Sequence, residues 1–134
     1  MSEPLIPREL IGRESGDVLV EIERGAIRKF AEAVGDTTEA CLRGEIAPPS
    51  FPTTIRISIP DLTYDLARVL HAGQEYRYER PIRAGDRLHC RARLQDVYQR
   101  EGRLGVMTFF IVDLEGRSES GEPVFTGRST VILR

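Results

Sequence analysis

A chain of 134 residues is the size of one domain, since two independent cores would leave each half too small to bury much of its surface, and residues 1–134 are read as a single unit. With 40% hydrophobic, 30% charged and 7% aromatic residues, the composition excludes a disordered, collagen-like or linker protein. The net charge of -2, from 19 basic and 21 acidic side chains, leaves no whole-chain footprint for nucleic acid, although residues 1–67 (7 basic, 12 acidic) carry -5 and residues 68–134 (12 basic, 9 acidic) carry +3. In chain order, Met1-Ser2-Glu3-Pro4 has neither the basic nor the apolar region of a signal peptide, and no apolar run approaches the roughly 20 residues of a membrane helix. A cytosolic protein without membrane contact is expected.

Asp17 to Glu23 alternates on Val18, Val20 and Ile22, which predicts a half-buried strand, with Leu19 out of step on the other face. From Gly25 to Val34 the apolar residues Ile27, Phe30, Ala31 and Val34 fall at offsets of three, four and seven, one stripe of an amphipathic helix that Gly35 ends. The stretch from Gly35 to His71 holds prolines at 48, 49, 52 and 60, so no long uninterrupted helix crosses it. Within it the signals conflict. Ile55 to Ile59 alternates as a strand does, while Ser50 as a cap, Pro52 in a first turn and the four-residue spacing of Ile55 and Ile59 predict a short helix. We expect the helix, near Pro52 to Ile59, because tertiary packing overrides local preference. Strands follow around Tyr76 and Tyr78, at Leu88 to Leu94, along the nearly continuous apolar run Leu104 to Val112, expected to be buried on both faces, and from Val124 to Leu133. Turns are expected at Arg83-Ala84-Gly85-Asp86, at Gln99 to Gly102 and at Asp113 to Gly116. The order is that of an α+β protein with an antiparallel sheet.

Three ordered segments carry a resemblance: Phe30-Ala31-Glu32-Ala33-Val34-Gly35-Asp36, Ala47-Pro48-Pro49-Ser50-Phe51-Pro52 and Leu70-His71-Ala72-Gly73-Gln74-Glu75-Tyr76, followed by Arg80-Pro81-Ile82-Arg83-Ala84-Gly85-Asp86 at a strand entrance. Together they resemble the MaoC-like dehydratases, and more narrowly their N-terminal half-domain, which is related to the non-catalytic subunit of (3R)-hydroxyacyl-ACP dehydratase. The resemblance implies a single hot-dog fold, a curved antiparallel sheet wrapped around a short central helix. Catalytic members carry Gly-Asp-x-Asn-Pro-x-His, whose aspartate and histidine form the acid/base pair that adds or removes water across an enoyl thioester. Gly35-Asp36 matches, but Cys41 stands in the histidine position, and a thiol titrates too high to replace an imidazole unless it is activated. The same members place a glycine N–H at the start of the central helix, against the thioester carbonyl; here Pro49 falls at that position and has no N–H. The stretch between Asp36 and Ala47 is also shorter than in the family.

Asp36 is the one catalytic candidate that the resemblance supplies, with the competing reading of a turn residue after a helix-ending glycine. Phe51, Ile55, Tyr76 and Tyr78 are candidates for an acyl wall, or simply core. Arg83 and Arg87, with Arg80, are candidates for a coenzyme A phosphate, or surface arginines at a sheet edge. His71 and His89 lack a neighbour that would make a dyad, Cys41 and Cys90 match no zinc or redox spacing, and no metal or cofactor is called for. The resemblance implies the non-catalytic, substrate-binding subunit of an R-specific enoyl-CoA/ACP hydratase. Its partners would be an acyl-CoA or acyl-ACP thioester and a catalytic MaoC-like chain or a second copy of itself. The alternatives are a homodimeric hot-dog thioesterase using Asp36 or Glu39 as base and a non-enzymatic acyl-CoA-binding homodimer.

Overall fold

A computed structural model describes residues 4–134, in which five antiparallel strands form one sheet. The strands are β1 (Val18–Glu21), β2 (Val69–Tyr78), β3 (Arg87–Gly102), β4 (Gly105–Arg117) and β5 (Pro123–Leu133), in the order β1-β3-β4-β5-β2. This is the hot-dog arrangement expected. Bulges at Leu94/Asp96, Gly116/Arg117 and His71/Gly73 interrupt the register, and each bends its strand, which curves the sheet. Alternation then decides the faces: Leu88, Cys90, Ala92 and Leu94 are buried on the inner side, while Arg87, His89 and Arg93 are exposed on the outer side. Ahead of β1, residues 12–15 run along β3, with Gly12 N–H donating to the Leu94 carbonyl at 2.8 Å and Ser15 N–H to that of Ala92 at 2.9 Å.

Helix α1 (Arg24–Val34) lays Ile27 and Ala31 on the sheet and half-buries Phe30, as its stripe predicts; Val34 is left 51% exposed at the end. Gly35 takes the left-handed conformation (φ 72°), and the N–H of Asp36 returns to the Ala31 carbonyl at 2.9 Å, closing the helix. A single further turn, α2 (Glu39–Leu42), follows.

The central helix differs from expectation. Only a 3₁₀ turn forms, at Phe51–Thr54, and Ile55 to Ile59 is extended without a ladder partner. Pro52 lies inside the turn and Pro60 denies the segment an N–H at its end. The three β-branched isoleucines, facing inward at every second position, gain more by packing than a helix would return. Ile57 touches both halves of the core, one around Ile27, Phe51 and Phe125 and the other around Leu94, Phe110 and Leu133. Three further differences concern β4, the first being that the turn expected at Asp113 to Gly116 lies inside the strand, which stays paired with β5 through those residues and turns only at Ser118–Gly121. The β3–β4 turn lies at Gly102–Gly105, three residues later than expected, leaving Leu104 82% exposed at its tip. Phe109 and Ile111 are half-buried on the outer face, while the fully buried residues of β4, Thr108, Phe110 and Gly116, all lie on the inner one.

Candidate functional site

The link between the two helices places the first candidate. Asp36 Oδ1 accepts the N–H of Thr38 at 2.8 Å, an Asx turn that starts α2 and brings the buried Cys41 thiol to the same carboxylate. The hydroxyl and then the N–H of Thr38, with the thiol, hold the Asp36 carboxyl below its ordinary range. Burial, followed by the charge of Asp36, pushes the Cys41 thiol up. The pair is therefore a carboxylate that is a poor base beside a thiol that stays protonated. Neither group is poised to exchange a proton near neutral pH.

Residues 45–47 run against the β2–β3 loop: Ala47 N–H donates to the Ile82 carbonyl (2.8 Å) and Ala84 N–H to that of Glu45 (3.1 Å). This fixes the Pro48-Pro49 corner beneath β2, where the Pro49 carbonyl accepts the Tyr78 hydroxyl, and Phe51 N–H closes the turn on the Pro48 carbonyl at 2.9 Å. Around this corner the structure brings four candidates together. Phe51 is buried edge-on to Phe30 (5.6 Å, 86°), and the half-buried Ile55, Tyr76 and Tyr78 border the same core, Tyr78 lying 6.1 Å from Phe125. Burial pushes both tyrosine hydroxyls up, so they act as donors and not as bases. An open groove of about 470 Å³ passes between β1 and the Phe51–Ile55 segment, floored by Val20, Ile22 and Phe51 with Leu19 and Arg56 on its lip. Leu19, out of step in the sequence, joins Val20 and Glu21 of the same strand in lining this groove.

The arginines separate. Arg87 is committed to Glu21 (2.6 Å) and Glu119 (3.3 Å), and Arg80 to Asp86 (2.8 Å), whose carboxylate also takes the backbone N–H of Arg83 at 2.8 Å. The Gly85-Asp86 pair thereby has a structural explanation: Gly85 is left-handed (φ 88°) and the Asp86 carboxylate ties Arg80 and the Arg83 N–H together within the loop. The Arg83 guanidinium alone of the three makes no ion pair among the described residues, and it is exposed. His71 and His89 are exposed on their strands. A larger concavity, about 600 Å³, lies on the outer face between Arg91, Arg93, Asp113, Glu115 and Arg128, remote from these groups. The Tyr78–Pro49 bond and the engagement of Arg87 join residues 29 and 66 positions apart, beyond the reach of spacing in the sequence.

Comparison with known proteins agrees with this geometry. The family described as "FAS1-like, dehydratase domain region" matches residues 9–127. A UPF0336 protein of Saccharopolyspora erythraea is 33% identical over 147 aligned positions, covering 96% of this chain and 92% of the relative; since this chain has 134 residues, the relative contains stretches that it lacks. Among solved structures, the HadBC (3R-hydroxyacyl-ACP dehydratase) complex of Mycobacterium tuberculosis aligns with a TM-score of 0.70 at 18% identity, over 92% of this chain and 96% of that one. The ChsH1–ChsH2 complex of the same organism aligns at 0.67 and 19%, over 90% and 83%.

Proposed function

Because this chain belongs to the FAS1-like, dehydratase domain region family, we propose that it is the non-catalytic, substrate-binding subunit of an R-specific enoyl-CoA/ACP hydratase. The observation that carries the reading is the Asp36–Cys41 pair: at the position of the family's acid/base couple stands a carboxylate pushed down beside a thiol pushed up. Pro49 adds to it, because the four-residue turn that follows offers neither an N–H at that position nor a helix long enough to concentrate positive charge for a developing enolate. What the chain keeps is a surface for an acyl thioester. Leu19, Phe51, Ile55, Tyr76 and Tyr78 supply apolar wall, and the free Arg83 guanidinium suits a phosphate of the carrier. The missing acid/base pair comes from a partner hot-dog chain, an arrangement in keeping with structural neighbours that are themselves described as complexes.

The test is enoyl-CoA absorbance. Loss of a general acid/base costs on the order of 10²- to 10⁴-fold and loss of an oxyanion donor about 10²- to 10³-fold more, so the purified chain should leave crotonyl-CoA and longer trans-2-enoyl-CoA unchanged. A mixture with its catalytic chain should hydrate them. Turnover by the chain alone, abolished in Asp36→Asn, would refute the reading.

A further inference from the structure

An antiparallel sheet packed on one side gives its other side to water, and much of this outer face obeys: one rung across it reads Arg93, Asp113, Arg128, Glu75, alternating in sign from β3 to β2. Another rung does not. Tyr98 faces Phe109, Phe109 faces Ile132 and Ile132 faces Leu70, so four apolar side chains cross four strands in register, none of them fully buried. The stack of Tyr98 on Phe109 (4.9 Å, 10°) explains the first two as a cross-strand aromatic pair. It does not explain Ile132 and Leu70. A contiguous apolar band on an otherwise charged face marks an interaction surface.

What borders the band selects its occupant. The Arg100 guanidinium lies 5.4 Å from the centre of the Tyr98 ring. Beyond Ile132 and Leu70, the Arg134 N–H donates to the Arg68 carbonyl at 3.3 Å and Arg68 Nε donates to the Arg134 carbonyl at 2.7 Å, which holds two arginines side by side on neighbouring strand ends. Like charges so placed are unfavourable without an anion. None of the three arginines makes an ion pair among the described residues. The rung on the other side of the band runs Asp96, Ile111, Thr130, Gly73; it has no cation, and Ile111 widens the apolar surface.

From this border we infer that the outer face docks an amphipathic α-helix of another protein, apolar along one stripe and lined with carboxylates along the flank that meets Arg68, Arg100 and Arg134. The dimensions agree. Three interstrand steps of about 4.8 Å make the band about 14 Å long, and a helix presents apolar residues at i, i+3, i+7 and i+10 over about 15 Å. A lipid surface would call for apolar side chains projecting past the arginines, whereas Tyr98, Phe109 and Ile132 lie half-buried in the face of the sheet. The inference goes beyond the proposed function, because the Pro49 corner meets β2 at Tyr78, on the inner face and at the far end of the strand from Leu70.

Fluorescence anisotropy tests it, with the full chain titrated into a labelled, hydrocarbon-stapled helical peptide that carries leucine at i, i+3, i+7 and i+10 and glutamate along one flank. The wild type should bind this peptide roughly tenfold more tightly than the same peptide with lysine in place of glutamate. Leu70 is exposed, and Leu70→Asp should weaken binding roughly tenfold. Arg100→Glu/Arg134→Glu should invert the preference, taking the lysine peptide over the glutamate one, a reversal that misfolding does not produce. No saturable binding below about 1 mM, equal affinity for the two peptides, or a double variant that keeps the wild-type preference would each overturn the inference. So would cosedimentation with phosphatidylglycerol vesicles, or self-association of the chain, that Leu70→Asp abolishes, since either puts a different occupant on the band. The hydratase assay reads none of these outcomes, so the two readings fail separately.

Discussion

Gly116 offers a quantitative test of the core beneath the site. It lies opposite Phe125 across β4 and β5, and a methyl group added to it would sit 2.2 Å from Cε1, 2.7 Å from Cδ1 and 3.0 Å from Cζ of that ring. Carbon atoms rest about 3.5–4.0 Å apart, so the overlap exceeds roughly 1 Å, and Phe125 is 1% exposed with no open side toward which to move. Overpacking of this kind costs about 1–3 kcal/mol. Set against it is the smaller conformational freedom of alanine in the unfolded chain, worth about 0.4–1 kcal/mol, because Gly116 has no left-handed backbone that alanine would resist. Gly116→Ala should therefore lose on the order of 1–2 kcal/mol, a fall in Tm of about 3–10 °C for a domain of this size. Urea and thermal unfolding followed by circular dichroism measure it, with Gly25→Ala as control, since nothing lies within 4 Å of that added methyl and the helix should gain stability. A Gly116→Ala protein as stable as the wild type would refute the claim that the glycine exists to admit the ring.

Ile57→Ala should cost about 2 kcal/mol in the same unfolding assay, because this half-buried side chain joins both parts of the core, and a loss under 0.5 kcal/mol would show that the extended segment is not a structural member. Burial pushes the Cys90 thiol from 9.0 up to about 11; a raised folded value stabilises fully below pH 9 and is lost as pH rises through about 11, so Cys90→Ala should flatten that alkaline limb of the stability profile relative to wild type. Cys41→His should remain inactive on crotonyl-CoA, because restoring an imidazole leaves Pro49 without an N–H; measurable turnover would show that the oxyanion donor is supplied elsewhere.

Where one local pattern dominates, the sequence reads directly into the fold. Val18, Val20 and Ile22 alternate and form β1; Ile27 and Ala31 stack and form the buried stripe of α1, with Gly35 at its end. The Pro48–Pro60 stretch resists such reading because strand and helix signals coexist there, and the outcome depends on whether the isoleucines find a surface, which is a property of the sheet. The β3–β4 turn depends on a facing pair, Gly102 and Gly105, whose match is visible only once the strands are in register. In the site, the pairing of positions 36 and 41 was legible only through the resemblance, which sets Cys41 where the histidine partner of the aspartate stands; the helical turn Glu39–Leu42 that brings the two together was not read from the residues. The engagement of Arg87 by Glu21 and Glu119 was not, since each partner comes from another strand or loop.

The missing central helix and the missing N–H have one physical origin. A curved sheet must have its concave face filled, and the length to be covered is set by the strands, not by the segment that covers it. A helix advances about 1.5 Å per residue and an extended chain about 3.3 Å, so the five residues Ile55 to Ile59 span roughly 16 Å where a helix of equal length would span about 7.5 Å. The segment can thus reach across both parts of the core, with an isoleucine turned inward at every second position. The exchange has a chemical consequence. An extended segment has no accumulated dipole and no free N-terminal N–H groups directed at one point, so under the proposed function it would offer a thioester carbonyl no electrophilic helix end. Under that condition an imidazole at position 41 would have little to assist, and the quiet thiol beside Asp36 accords with the proposed substrate-holding role.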